Sequence, residues 1–93
     1  MTRDIMVAAA GQRPVSRVNG NLASVRTRRS GSSAALEAEL QADPAAGLGL
    51  IRLVWMGQRR ITGIEPGRSL TVEGVPVVQR GRATIYNPRY QLG

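Results

Sequence analysis

Residues 14–28, PVSRVNGNLASVRTR, set the strongest constraint on what this chain can build. Val and Leu recur at two-residue spacing, which is the period of a strand with one buried face. Val18, Gly20 and Leu22 share that face if the strand is regular. Gly20 lies inside the run, where a glycine marks a bulge or a sharp bend. A strand this long, bent in its middle, can serve two sheets at once.

The rest of the chain continues in the same texture. RRSGSS at 28–33 is a turn by composition. ALEAELQAD at 35–43 alternates Leu36, Ala38 and Leu40 with Glu37 and Glu39, which reads as a half-buried strand. Ala, Leu and Glu also form helices, and the neighbouring β pattern decides for the strand. After a turn from Asp43 to Gly49, LIRLVW at 50–55 puts Ile51, Leu53 and Trp55 on one face. Leu50, Arg52 and Val54 take the other.

GQRRITGIE at 57–65 places Ile61 and Ile64 three apart, which fits one short helix or turn with an apolar face. Pro66-Gly67 fits a type II turn. SLTVEGVPVVQ at 69–79 is a fourth strand, in which Gly74 and Pro76 suggest a bulge or an edge. QRGR is a tight hairpin connection, ATIYN a fifth strand, and Pro88 is expected to limit further pairing.

Ninety-three residues are enough for one small domain. Residues 1–13 have no clear period and read as a flexible leader before a domain at 14–93. The leader's apolar part is too short for a signal peptide. No run is long and apolar enough to span a membrane, so a soluble cytoplasmic protein is the default expectation. There is no Cys and no His, which removes disulfides, thiolate metal sites and the commonest general base. Ser30, Ser32 and Ser33 have no His or Lys to activate them. A non-enzyme without cofactor or metal is expected. Glu37, Glu39 and Asp43 are a poor metal set without a third fixed ligand on their face.

All 13 basic residues are Arg, and against 6 acidic ones they give a net charge of +7. A domain this basic is drawn to nucleic acid, an anionic surface or an acidic partner. No basic amphipathic helix supports membrane binding.

Three strands, a short helix, then a two-stranded hairpin, with the first strand bent, is the layout of an all-β, five-stranded Greek-key OB-fold barrel. VNGNLASVRTR, GLIRLVWMGQRRITGIEPGRSLTVEG and YNPRY also resemble the short stand-alone bacterial OB-fold nucleic-acid-binding proteins, similar to the anticodon-binding type of OB domain. The resemblance spans about residues 14–91. It implies single-stranded DNA or RNA as ligand. The ADPAAGLG turn is longer than that family's usual tight turn.

Ligand in such barrels crosses strands 2 and 3 between the loops joining strands 1–2 and 4–5. That layout puts Arg28 and Arg29 in one loop and Arg80 and Arg82 in the other. Arg26 leads into the first loop, and Arg52 lies on the outward face of strand 3. Ile85 points inward, which turns Tyr86 outward as a stacking surface. These seven residues are the candidate binding set. The competing reading is solvated turns in an Arg-rich chain, and an OB-type protein-interaction module is the second function considered. Glu37 and Glu39 either repel phosphate on this face or pair with neighbouring arginines and orient them. Trp55 belongs to the core by pattern. Arg59, Arg60 and Arg89 are expected to matter less.

Overall fold

The computed structural model describes residues 14–93, so the expected leader lies outside the described residues. Seven strands form one sheet: β1 (Ser16–Ser30), β2 (Ser33–Ala42), β3 (Leu50–Met56), β4 (Ser69–Gly74), β5 (Pro76–Gln79), β6 (Arg82–Tyr86) and β7 (Arg89–Leu92). Their hydrogen-bonded order is β5-β6-β3-β2-β1-β4-β7. All neighbours run antiparallel except β3 and β6, which are parallel.

β1 is the strand the alternating pattern promised. Its first part pairs with β4 from Ser16 to Asn21, and its second with β2 from Gly20 to Ser30. Gly20 and Asn21 are paired on both sides at once. The bulge falls just after, between Leu22 and Ser24. Gly20 instead provides close approach: a Cβ there would run into the carbonyl oxygen of Gln41 and lie 2.9 Å from Leu40 Cγ.

The sheet curls into a barrel-like wall. Val18 and Leu22 of β1, Leu40 of β2, Leu53 and Trp55 of β3, Leu70 and Val72 of β4, and Ile85 of β6 meet in one cluster, which a flat seven-stranded sheet could not achieve. β4 and β5 are separated only by Val75, yet one pairs with β1 and the other with β6. The chain itself therefore links strands five places apart in the sheet.

Two expectations are corrected. The strand count is seven, because the expected fourth strand breaks at Val75 and a strand forms after Pro88. Pro88 precedes β7 instead of ending the pairing. Asn87 turns the chain with φ 50°, and Pro88 contributes its carbonyl to Trp55 Nε1 at 3.0 Å.

The expected helix between the third and fourth strands is also absent. Among the described residues the only helical element is a 3-10 turn at Pro44–Ala46, capped by Asp43. Gly57, Gly63 and Gly67 have φ values of 76°, 88° and 88°, outside the right-handed helical region. Residues 61–64 and 65–68 each make a single turn, closed by bonds from Ile64 N to Ile61 O and from Arg68 N to Glu65 O. Ile64 still enters the core and Ile61 packs against it. The apolar spacing was informative, although the backbone carrying it is not helical.

Replacing Gly20 by Val should cost about 2–3 kcal/mol, because the new side chain overpacks against the β2 backbone. Urea denaturation checks this, and unchanged stability would mean β1 does not depend on that approach.

Candidate nucleic-acid interface

The outer face of the sheet is set by register. Arg26, Glu37, Val54 and Tyr86 lie in one cross-strand row. Ser24 aligns with Glu39 and Arg52 in the next, and Arg28 with Ala35 and Met56 on the other side. Two hairpin tips frame this face. The β1–β2 turn is only Gly31-Ser32, so Arg28 and Arg29 are strand residues rather than loop residues. The β5–β6 turn is Arg80-Gly81, with φ 54° and 76°. Both values are positive, as a type I′ hairpin requires, and an arginine there occupies a position that usually takes Asn, Asp or Gly. That left-handed geometry costs about 1 kcal/mol for a residue with a Cβ.

Between the tips lies a groove of about 330 Å³. Arg28, Arg29, Arg52 and Arg80 line it, with Tyr86. Five of the seven candidate residues, from segments far apart in sequence, thus meet around one space. The other two, Arg26 and Arg82, line an adjoining recess of about 120 Å³ with Ser24 and Glu39. Arg82 sits past the two-residue turn, in β6, and reaches Glu39 at 2.6 Å.

The groove also holds residues not singled out from sequence. Ala34, Ala35, Val54 and Met56 give it an apolar floor, and Met56 is 55% exposed. Alternation from Arg52 through Val54 was the available signal for Met56. Gln79 accepts a hydrogen bond from the Tyr86 hydroxyl and so fixes the ring beside the groove. Trp55 faces the core, with its ring edge-on to Tyr90 at 5.9 Å.

Glu37 organises the charges. It is 7% exposed and faces three guanidiniums: Arg28 at 3.0 Å, Arg52 at 3.6 Å and Arg26 at 3.7 Å. Arg28 retains donors beyond the one given to Glu37, since a guanidinium carries five. Arg52 Nε is buried without a hydrogen-bond partner among the described residues. Arg29 and Arg80 have no ion pair among the described residues. The groove lining thus carries four guanidiniums, Arg28, Arg29, Arg52 and Arg80, against the single carboxylate of Glu37, and remains positive.

Arg59 and Arg60 lie at a different groove, as does Arg89, which sits with Arg17 and Glu73. Among the described residues no cluster of three or more His, Cys, Asp or Glu could hold a metal ion.

A scan of family models and searches of curated proteins and of solved structures found no match to this chain.

The Glu39 carboxyl is held below the usual glutamate range, chiefly by the hydrogen bond from Arg82 and next by that from Ser24 Oγ. A carboxyl depressed on folding stabilises the fold above its unfolded pKa of about 4.3. That contribution is lost as pH falls from there through the lower folded value. Carboxyl NMR should show Glu39 titrating below the ordinary range, and Arg82→Ala should move it back up. An ordinary titration in the unmodified protein would contradict the pairing.

Proposed function

We propose that this chain is an OB-type barrel that binds single-stranded DNA or RNA, without catalysis, mainly through the phosphate backbone. The observation that carries the reading is the meeting of Arg28, Arg29, Arg52 and Arg80 with Tyr86 around one groove between two hairpin tips. The barrel assignment is supported by the order of pairing. One long strand bridges β2 and β4, β3 runs parallel to β6, and β4 and β5 are joined by a single residue. The sequence resemblance points the same way.

The chemistry suits a strand with unpaired bases. Arg29 and Arg80 stand on opposite tips, without an ion pair among the described residues, and their planar guanidiniums suit phosphate oxygens. Exposed Tyr86 and Met56, over buried Val54, offer an apolar surface between them. One tyrosine is a small stacking platform, so charge carries most of the affinity and sequence preference is weak. No helix among the described residues is long and apolar enough to cross a membrane. A cytoplasmic protein of bacterial type is the setting we propose.

The second reading is an OB-type protein-interaction module. Glu37 and Glu39 favour it, because they already engage four of the six candidate arginines.

Binding of single-stranded oligonucleotides, titrated with salt, separates the two. Three to four phosphate contacts predict a slope of log K against log salt between about −2 and −3. The double variant Arg29→Ala/Arg80→Ala should weaken binding about tenfold or more, whereas Arg89→Ala should leave it unchanged. A flat salt response, or full affinity in the double variant, would overturn the nucleic-acid reading.

A further inference from the structure

β1 is covered on its outer edge only in part. Its pairing with β4 ends at Asn21, and Leu22 closes that ladder with backbone bonds to Arg68 O and from Gly67 N. From Ala23 to Ser30, no strand among the described residues pairs with this edge, while β2 occupies the other. Alternate residues there direct backbone N–H and C=O groups away from β2.

A second groove lies along this open edge. It measures about 860 Å³ and separates the Val25–Thr27 part of β1 from residues 59–66. The Thr27 hydroxyl ties the two sides by donating to Arg59 O at 2.8 Å. Val25 and Ile61 are partly buried against the core and give the groove an apolar wall. Arg26, Arg59 and Arg60 supply its charge, opposed by Glu65. The Arg26 side chain is 73% exposed and holds Glu37 only at 3.7 Å.

Charged side chains ordinarily protect an open strand edge from pairing with another chain. Here the guards are predominantly of one sign. They disfavour basic strands and favour one bearing carboxylates. We propose that this groove takes an extended acidic peptide segment of a partner protein, added as a strand beside β1 between Ala23 and Ser30.

The two-residue period of a strand fits the arrangement. Carboxylates of such a strand have Arg26 on the β1 side and Arg59 and Arg60 on the far side of the groove to pair with, while apolar side chains meet Val25 and Ile61. The partner's backbone completes the ladder, which gives affinity independent of side chains. A nucleic-acid backbone offers phosphate and sugar oxygens but not the alternating N–H and C=O groups at strand spacing that complete a ladder, so the open edge favours peptide. The groove itself uses none of Arg52, Arg80 or Tyr86, although its β1 edge carries Arg26, Arg28 and Arg29 of the candidate nucleic-acid set.

The probe is a blocked hexapeptide alternating Glu and Val, titrated into the isotope-labelled full chain. Saturable amide shifts should concentrate at 23–30 and 59–64, with slowed hydrogen exchange along 23–30. Arg59→Glu/Arg60→Glu should weaken binding about tenfold or more, and Arg80→Ala, outside this edge, should change it less than about twofold. The same peptide N-methylated at alternate backbone nitrogens keeps every side chain but cannot form the ladder, and it should fail to bind the unmodified protein. Equal binding of the methylated peptide, shifts centred on Val54, Met56 and 79–86, or no binding at all would each overturn the proposal.

Discussion

At Gly20 the backbone of β1 is paired on both sides, with Ala42 of β2 and Leu70 of β4. The absence of a side chain lets β1 lie against the Gln41 carbonyl, and the bulge after Leu22 then re-aims the rest of the strand. The remainder of the fold depends on that double pairing. It turns the sheet on itself, gathers the inward residues of five strands into one core, and leaves β3 to pair in parallel with β6. The β1–β2 and β5–β6 tips then stand over the same outer face.

Charge on that face is arranged around two carboxylates. Glu37 and Glu39 occupy alternate positions of β2, so both project outward between arginines of β1, β3 and β6. The half-exposed pair of Arg82 with Glu39 contributes little stability, about 0–1 kcal/mol, while the arginines on buried Glu37 offset the cost of burying its charge. The larger effect of the two carboxylates is positional. They hold Arg28 and Arg52 along the groove and draw Arg82 away from it, while Arg29 and Arg80 at its two ends have no ion pair among the described residues.

Much of the fold was legible because strand period is local. Alternation identified the inward rows of β1, β2 and β3, the core position of Trp55 and the outward direction of Tyr86. What was missed depends on features that alternation does not carry. The apolar pair Ile61 and Ile64 suggests a helical turn, but the positive φ of Gly63 between them prevents helix from propagating. Ser30 reads as turn by composition, yet its pairing with Ser33 carries the ladder to a two-residue tip and makes Arg28 and Arg29 strand residues. Pro88 reads as a terminator, but only its carbonyl is needed. The Glu37 cluster was visible as a possibility only, since cross-strand register decides which arginine faces which carboxylate.

The central claim is that the two distant tips act as one binding surface. Chemical-shift mapping with a short single-stranded oligonucleotide tests it directly. The account predicts shifts concentrated at 28–35, at Val54 and Met56, and at 79–86, all saturating with one affinity. Shifts confined to one tip, or centred on Arg17 and Arg89 or on Arg59 and Arg60, would contradict it.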